Sequence, residues 1–314
     1  RSTLLLGAGL AALFSAPLAA QDEASQAAAD TAEEPNSNDI IVTARRRSES
    51  AQDIPLAVSV IDARQLDETG AFNVNRLQQL APTLQFYSSN PRNTAVNIRG
   101  LGVPFGLTSD GFEQGVGIYV DDVYYSRVAS ATFDFLDVAQ IEVLRGPQGT
   151  LYGRNTIGGA IKYVTKRLPS DFSLKLRGTY GSYDQADGIL TVSAPIGDML
   201  RVGGSVARLS RGGFGDNLNI PGVENYNKDV WAGRGTIELG GYGEPVLIRI
   251  SGDYTKDKSA PRGGHRLIPS LATAAPVLDD VFDSRGALND PKQEIESYGL
   301  AMNVTAELSD TLTL

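Results

Sequence analysis

The sequence predicts a small α+β domain followed by antiparallel strands of a transmembrane β-barrel. Two features of the chain lead to this fold class. Residues 52–165 mix short amphipathic segments with extended ones, as in a compact α+β unit. From residue 170 onward the chain changes to segments of about ten residues in which apolar and polar side chains alternate, which is the pattern of a transmembrane β-barrel.

Residues 1–20 have the features of a secretory signal peptide. Arg1 supplies a positive charge, the apolar core runs to Phe14, and the stretch ends in small residues. This apolar run is shorter than the roughly 20 residues that a membrane-spanning helix needs, so we expect export without a helical anchor. Residues 21–38 contain no large apolar side chain, and we expect a disordered linker there.

A β-prone hexamer, DIIVTA at residues 39–44, follows the linker directly. An exposed extended segment on a flexible tether is suited to adding a strand to the sheet edge of a partner, where main-chain hydrogen bonds supply affinity. The same residues could equally form an ordinary first strand of the domain that follows. The physical pattern of the residues leaves these two interpretations open.

Residues 52–165 begin with a strand and two short helices. A strand at Leu56 to Ile61 leads into a helix that Asp62 caps, with Gln65 in the capping-box position. The second helix is predicted between Asn73 and Pro82, since proline cannot continue a helix. The extended segments that follow are Leu84 to Tyr87 and Ala95 to Arg99.

The segment GIYVDDVYY at residues 117–125 predicts a β-hairpin that turns at Asp121 and Asp122. Paired aspartates could also act as a general acid and base or as part of a metal site. No third ligand or partner lies near them in the sequence, so we interpret them as turn residues.

The stretch from Gln140 to Lys166 predicts two strands joined by a compact glycine-rich connector. Its first strand ends at Gly146-Pro147, and the second strand spans Ala160 to Thr165. A glycine-rich turn between a strand and a helix also suggests a phosphate site. The connector lacks the Gly-Lys-Ser/Thr ending of a P-loop, however, so we interpret its glycines as residues for close packing and positive φ.

Segments with a period of two fill the chain after Pro169, and each presents one apolar face. Short connectors fall at Gly197 and Gly241, and longer ones at residues 212–226 and 256–292, which matches short periplasmic turns and long external loops. A soluble β-sandwich shows the same alternation, but export and the asymmetry of the loops favour the barrel. The apolar positions include Phe172, Leu174, Leu176, Leu190, Val192, Ile196, Val202, Val206, Ile248, Ile250, Tyr254, Tyr298, Leu300, Met302 and Val304.

Composition excludes several classes of protein. The chain has no cysteine, so neither a disulfide framework nor a thiolate metal site is possible. Its one histidine, His265, stands in a Gly-rich segment without the Ser or Asp spacing of a catalytic triad, and we expect a loop residue. The formal charge of −9 argues against a nucleic-acid-binding protein.

Taken together, the motifs resemble those of TonB-dependent outer-membrane receptors. In that family a strand ending in Leu-Arg-Gly-Pro is followed by a Tyr-Gly segment and by a Gly-Gly strand that leads into the barrel. The resemblance covers residues 39–314 and implies a plug domain at 52–165 and about the first six or seven barrel strands at 170–314. Because the family's barrel has about 22 strands, we expect this chain to be part of a longer protein. The matching motifs are IRG at 98–100, VDD at 120–122, LRGP at 144–147, LYG at 151–153 and GGA at 158–160.

The resemblance implies three sets of functional residues and no catalytic residue, metal site or cofactor. Arg99 and Arg145 match arginines that pair with acidic residues of the barrel wall in the family, so they would anchor the plug. The outward loops of the plug touch substrate in the family, and the candidates for ligand contact are Arg92, Phe105, Tyr125 and Arg127. The hexamer corresponds to the TonB box, which would bind TonB through Asp39, Ile40, Ile41, Val42, Thr43 and Ala44.

The function that the resemblance implies is TonB-dependent active transport of a scarce ligand across the outer membrane of a Gram-negative bacterium. An iron–siderophore complex is the commonest ligand in the family, and no residue set here selects it over a vitamin, an oligosaccharide or another metal complex. The implied partners are TonB with its inner-membrane energising complex, outer-membrane lipid and the small ligand, but no nucleic acid. Transport changes no covalent bond, so we do not expect an enzyme.

Two other classes of protein are the alternatives to a transporter. A passive porin or structural barrel would need neither the hexamer nor the plug. A receptor that mainly signals would usually carry a further folded domain ahead of the hexamer, and residues 21–38 are too few and too polar for one.

Overall fold

The structure is a computed structural model that describes residues 39–69, 74–88, 94–103, 113–126, 137–240, 243–260, 265–285, 294–309 and 312–313. The chain divides at Ile40 into two units, and the architecture below is that of the second unit. This unit contains an α+β domain (residues 41–165) and a sheet of long antiparallel strands (residues 173–313), which we call the strand wall. The predicted signal peptide and linker lie outside the described residues.

The α+β domain is built on a sheet with the strand order β3-β9-β10-β7-β8. Strand β9 is antiparallel to both β3 and β10, and β7 runs parallel to β10. The antiparallel pairing of β9 with β10 confirms the two strands predicted on either side of the glycine-rich connector. The elements of this domain are β1 (Ile41–Val42), β2 (Glu49–Ser50), β3 (Ala57–Asp62), α1 (Ala63–Thr69), α2 (Val74–Leu80), β4 (Leu84–Ser88), β5 (Thr94–Ile98), β6 (Leu101–Gly102), β7 (Val116–Val120), β8 (Val123–Tyr125), β9 (Val138–Arg145), α3 (Gly149–Tyr152) and β10 (Gly159–Thr165).

The first helix begins where the capping box predicted it. The backbone N–H of Gln65 donates to Asp62 Oδ1 at 2.7 Å, and the Asp62 N–H donates to Gln65 Oε1 at 3.4 Å. These two bonds satisfy donors that the first turn of a helix leaves without partners. The second helix ends at Leu80, two residues before Pro82, as the proline predicted.

The predicted hairpin is confirmed, and its turn lies at the two aspartates. Val120 pairs with Val123, so only Asp121 and Asp122 lie between the strands. Both residues have positive φ, 45° and 69°. A two-residue turn with positive φ at both positions is the type I′ turn, which accepts Asp better than most residues.

Buried apolar side chains pack on both faces of this sheet. On one face, Ile161 and Tyr163 of β10 pack with residues of the two helices, among them Leu66 and Leu77. On the other face, Ala160 of the same strand belongs to a second cluster. Alternate residues of β10 therefore serve two cores, as expected for a strand covered on both sides. The second cluster contains Val42, Ala44, Ile54, Tyr119, Leu144, Tyr152 and Ala160.

The strand wall is one antiparallel sheet in the described part of the chain, with the order β11-β12-β13-β16-β17-β18-β19. Short turns join β11 to β12, β12 to β13 and β16 to β17, whereas long segments join β13 to β16 and β17 to β18. The small hairpin β14–β15 lies in the first of these long segments. The elements of the wall and of that hairpin are β11 (Ser173–Gly181), β12 (Gln185–Ile196), β13 (Leu200–Arg211), β14 (Gly215–Asp216), β15 (Glu224–Asn225), β16 (Lys228–Leu239), β17 (Val246–Asp257), β18 (Ile295–Ser309) and β19 (Leu312–Thr313).

The two faces of the wall differ in character. Leu176, Leu190 and Val206 stand side by side on neighbouring strands and are exposed. Residues of opposite parity form the inner face, and the buried side chains that contact the α+β domain there include Ser205 and Glu238. Further along the same two strands, the inner face also carries a small apolar cluster of Ala207, Leu209, Val230 and Ala232. An apolar outer face with a polar inner face is the arrangement of transmembrane β-barrels. Among the described residues, no helix has both the length and the apolar character that a membrane crossing requires.

Candidate functional site

The hexamer docks on the α+β domain with its C-terminal half. Ile41 and Val42 form β1, which pairs antiparallel with Glu49 and Ser50. Asp39, Ile40 and Ile41 are exposed, whereas Val42 and Ala44 are 0% exposed. Of the two interpretations left open by the sequence, Val42 and Ala44 follow that of a first strand of the domain here, because their small apolar side chains fit into the second core cluster.

Side chains of β9 and β10 hold the backbone of the hexamer. Thr43 donates its N–H and its hydroxyl to Glu142 Oε1, at 2.7 and 3.0 Å. Lys162 Nζ donates to the Thr43 carbonyl at 3.0 Å, and Gln140 Nε2 donates to the Ile41 carbonyl at 3.0 Å. The domain thus offers the hexamer both donors and acceptors through side chains, much as a neighbouring strand would offer them through its backbone.

Glu142 and Lys162 are opposite each other on neighbouring strands and both are buried. A buried charge is stable only with partners that replace water. Gln140 Nε2 donates to Glu142 Oε1 at 2.7 Å, and Lys162 forms an ion pair with Asp122 Oδ1 at 2.9 Å. The remaining contacts of Glu142 Oε1 and of the Lys162 ammonium go to Thr43, so the hexamer helps to stabilise both charges. Glu142 Oε2 is buried and has no hydrogen-bond partner among the described residues.

Tyr152, at the end of α3, closes the docking site. Its hydroxyl donates to the Ala44 carbonyl at 2.8 Å, and its ring packs edge-on against Tyr119 at 4.9 Å between centroids. The guanidinium of Arg46 lies 5.6 Å from the centre of the Tyr152 ring. Burial raises the pKa of the Tyr152 phenol, with the charge of Glu142 adding to the effect, so the hydroxyl stays protonated and able to donate.

The aspartate turn of the β7–β8 hairpin contacts the strand wall. Asp121 accepts hydrogen bonds from the N–H and hydroxyl of Thr165, at 2.9 and 2.7 Å. Its Oδ2 also forms ion pairs with Arg234 of β16 at 2.6 Å and with Arg249 of β17 at 3.9 Å. The Asn303 side chain of β18 donates to the Asp121 carbonyl at 3.3 Å. One residue of the α+β domain is thus bonded to three neighbouring strands.

A row of charged side chains crosses the wall below this turn. Arg201, Glu238 and Arg249 are directly paired on β13, β16 and β17. Glu238 is 0% exposed and contacts both arginines, at 3.3 Å and 3.5 Å. It also accepts the Leu168 N–H at 3.2 Å and the Arg167 Nε–H at 3.3 Å, from the segment that links the domain to the wall. The row therefore fixes the point where the chain passes from one region to the other.

Three further contacts join the domain to the wall. Arg249 Nη2 donates to the Lys166 carbonyl at 2.7 Å. Ser205 donates its hydroxyl to Asp137, a residue with positive φ just before β9. Tyr125 donates its hydroxyl to Asp253 Oδ1 at 3.2 Å.

The two predicted anchoring arginines lie elsewhere. Arg145 donates to the carbonyls of Ala57 and Val58, at 3.4 and 3.3 Å, within the α+β domain. Arg99 is exposed in a turn after β5, with φ 53°. In the described residues, the charged contacts to the wall come from Asp121 and Arg167 instead. Anchoring by Arg99 and Arg145 stays a prediction.

Of the four predicted ligand contacts, the structure describes Tyr125, whereas Arg92, Phe105 and Arg127 lie outside the described residues. Tyr125 lines a cavity of about 170 Å³ between the hairpin and the wall, together with Arg234 and Asp253. The predicted loop histidine, His265, lies outside helices and strands. In the ranges that the structure describes, no three His, Cys, Asp or Glu side chains are grouped to hold a metal ion.

The long segments at one end of the wall share an aromatic cluster. Phe214 stacks on Tyr226 at 4.8 Å and meets Phe282 edge-on at 5.0 Å. Asn225 donates to Ser284 Oγ at 2.9 Å, so polar contacts join the same two segments. The segment between β13 and β16 and the segment between β17 and β18 therefore form one ordered surface.

Sequence reasoning did not assign the residues that hold the hexamer or those that form the charged row. The signal for the first group was a charged residue inside an apolar strand, as in Ile141-Glu142-Val143 and Ile161-Lys162-Tyr163. Such residues are buried only with partners, so each indicated a specific contact. No comparable signal marked Glu238, since its strand was not singled out.

Known proteins match both regions of the chain. Residues 50–160 match the family model of the TonB-dependent receptor plug domain. The pesticin receptor of Yersinia pestis is 31% identical over 193 residues, which are 61% of this chain and 28% of that protein. The metal-pseudopaline receptor CntO of Pseudomonas aeruginosa is 27% identical over 167 residues, 50% of this chain and 21% of that protein. This chain thus spans less than a third of the length of these relatives.

The fold also matches a solved structure. The ferric yersiniabactin uptake receptor FyuA from Yersinia pestis superposes with a TM-score of 0.69 at 21% identity, over 81% of this chain and 39% of that one. Identity at this level supports the fold alone. The match extends past the α+β domain, so it includes strands of the wall.

Proposed function

Since the chain belongs to the TonB-dependent receptors of the Gram-negative outer membrane, with its α+β domain as their plug, we propose that the whole receptor performs TonB-dependent active transport. Ligand is taken up from outside, TonB pairs with the hexamer as an added strand, and the energy of the inner-membrane proton gradient opens a path past the plug. The proposed activity makes or breaks no covalent bond.

The observation that carries this proposal is the way the hexamer is held. Its exposed N-terminal half leads into a buried half that is bonded by a few side chains. Such contacts can be exchanged for the backbone bonds of a partner strand without unfolding the sheet beneath. A passive porin has no use for a segment of this kind.

We propose an iron–siderophore complex as the ligand. Support comes from a sequence relative, the metal-pseudopaline receptor, whose ligand is a metal complex. Tyr125, beside the cavity at the wall, is the described candidate for contact with the ligand, and Arg92, Phe105 and Arg127 are proposed with it. Uptake of a vitamin or an oligosaccharide by the same route is the alternative.

The test compares two deletions in the whole receptor, expressed in iron-starved cells. Deleting residues 39–44 is expected to abolish accumulation of radiolabelled iron from a siderophore panel, while binding of the same complexes at the cell surface persists. Deleting residues 27–32 shortens the chain equally but spares the hexamer, so uptake is expected to continue. Uptake that survives the first deletion would mean a passive barrel. Energy-dependent uptake of cobalamin or an oligosaccharide, with no iron complex accepted, would overturn the ligand class.

A further inference from the structure

The Asp121–Asp122 turn carries two sets of contacts that the sequence keeps adjacent. Asp121 is bonded to the strand wall through Arg234 and Arg249. Asp122 forms the ion pair with Lys162, whose ammonium also donates to the Thr43 carbonyl of the hexamer. Asp121, which bonds the plug to the wall, is therefore the direct neighbour in the chain of Asp122, which supports the docked hexamer.

The hexamer side of this arrangement depends on the position of the Lys162 ammonium. Its side chain is 3% exposed, and its contacts are Asp122 Oδ1 at 2.9 Å and the Thr43 carbonyl at 3.0 Å. A buried ammonium cannot replace a lost partner with water. A displacement of Asp122 therefore moves Lys162 or leaves it short of a partner, and either change weakens the bond to Thr43.

The wall side depends on the backbone of the same turn. Both aspartates occupy the left-handed region, which is sparsely populated by residues other than glycine. Such a conformation persists where surrounding contacts over-determine it. For Asp121 these contacts are Tyr163 and Thr165 within the plug and Arg234, Arg249 and Asn303 on the wall. Loss of the wall contacts leaves the Asp121 carboxylate without its two cationic partners and frees the turn to shift.

We propose that the Asp121–Asp122 turn couples the seating of the plug on the wall to the docking of the hexamer. Contacts between Asp121 and the wall strengthen the grip of Lys162 on Thr43, and their loss loosens the hexamer at a distance. Coupling of this kind is reciprocal, so a released hexamer also weakens the seating of the plug. The proposal rests on the proposed function only in taking the hexamer as the segment that TonB binds.

This chain contains no cysteine, and any cysteine in the rest of the whole receptor is replaced by serine, so that one introduced thiol can be followed. In the whole receptor, in outer-membrane vesicles from cells without TonB, Val42→Cys places a thiol at a position that is 0% exposed while the hexamer is docked. Ile40→Cys places one at a position that is 55% exposed, as a control for general reactivity. The ratio of the maleimide labelling rates at positions 42 and 40 then measures how often the hexamer leaves its docking site.

Arg234→Gln is expected to raise this labelling ratio by about twofold or more, as for groups coupled within one ion-pair network. Asp122→Asn is expected to raise it further, since it acts directly on Lys162. Arg208→Gln is the matched control, because the described partners of its side chain, among them Asp229 and the ring of Trp231, lie on the wall. If Arg234→Gln does not reach the membrane, Asp121→Asn tests the same contact from the plug, since Asn tolerates positive φ.

A labelling ratio for Arg234→Gln or Asp121→Asn equal to that of Arg208→Gln would overturn the coupling, and so would an unchanged ratio for Asp122→Asn. Uptake measured with the deletion of residues 39–44 separates the two proposals. If the deletion abolishes uptake but the wall variants leave the labelling ratio unchanged, the coupling is wrong and the transport function stands. If uptake continues after the deletion, the proposed transport function is wrong, whatever the labelling ratio.

Discussion

The plug and the strand wall distribute their apolar and charged side chains in opposite ways. The plug buries large apolar residues such as Ile141 and Tyr163 between its sheet and helices. The wall leaves Leu176 and Leu300 80% and 82% exposed and buries Glu238 completely. The plug therefore has the interior of a water-soluble domain, whereas the outer face of the wall suits a lipid environment.

The comparison shows that polar and charged contacts hold the plug and the wall together. The two regions meet where the wall is polar, and the described contacts between them are mainly hydrogen bonds and ion pairs. A polar interface can be rearranged without exposing a hydrophobic core to water. Under the proposed transport function, such an interface suits a plug that stays seated at rest and still allows passage.

Glu238→Gln is expected to cause the largest loss of stability in the receptor, since it removes a charge that is bonded to both regions. Arg201, Arg249 and Arg167 would lose their common partner. Breaking a buried ion pair costs about 3–5 kcal/mol. We expect the free energy of unfolding of the whole receptor, from urea titration in detergent, to fall by about this amount.

The control for this prediction is Glu307→Gln on β18, where the side chain is exposed. We expect a change within about 0.5 kcal/mol for this surface position. Equal unfolding free energies for the Glu238 and Glu307 variants would show that the charged row does not hold the two regions together.

The second largest effect is expected from a charge placed on the apolar outer face of the wall. Leu190→Arg lies near the middle of β12, and at the midplane of a bilayer arginine costs about 2–4 kcal/mol. The same change at Tyr180, near the end of β11, is expected to cost only about 0–1 kcal/mol, as for positions near the interface. Folding measured by urea titration in lipid vesicles checks both values, and equal costs would argue against a lipid-facing surface.

The smallest expected effect is confined to the plug. Tyr152→Phe removes the donor to the buried Ala44 carbonyl, a loss of about 1–3 kcal/mol in local stability. We expect faster hydrogen exchange of residues 41–50 in the whole receptor, with little change elsewhere. Tyr180→Phe, at a ring that is 84% exposed, is the control.

The pH dependence of this bond follows from the raised pKa of Tyr152. A raised phenol pKa means that the stabilisation is complete below the unfolded value of about 10 and is lost as the pH rises through the folded value. The difference between wild type and Tyr152→Phe is therefore expected to be constant between about pH 6 and 9. A difference that disappears within this range would contradict the assignment of the hydroxyl as donor.

Local features of the fold could be predicted from the sequence because short-range chemistry decides them. The capping box at Asp62 and the two-residue turn at Asp121 depend only on neighbouring residues, and both are present. Strand β16 was not singled out, because two glycines interrupt its alternation: Gly233 stands between Val206 and Tyr254, and Gly235 stands between Gly204 and Gly252. The apolar alternation is interrupted there although the strand is regular.

The site could be predicted far less well. Thr43 and Glu142 are 99 residues apart in the chain, and Asp121 and Arg234 are 113 apart. The pattern within one strand cannot show which distant side chain completes a buried charge. For the hexamer, the sequence left a partner strand and an ordinary first strand open. The structure shows the pairing of Ile41 and Val42 with Ser50 and Glu49 in this conformation, and binding of TonB stays a proposal.

The order of the hexamer's contacts along the chain has a mechanical consequence. Bonds at Ile41, Thr43 and Ala44 follow one another, so a pull on the N-terminal side loads them one at a time, as in unzipping. The bonds at Asp121, Asp137 and Arg167 lie on separate segments and share any load in parallel. We therefore expect single-molecule pulling through residue 39 to detach the hexamer at a lower force than the plug. The chain would then lengthen before any force reaches the contacts between the plug and the wall.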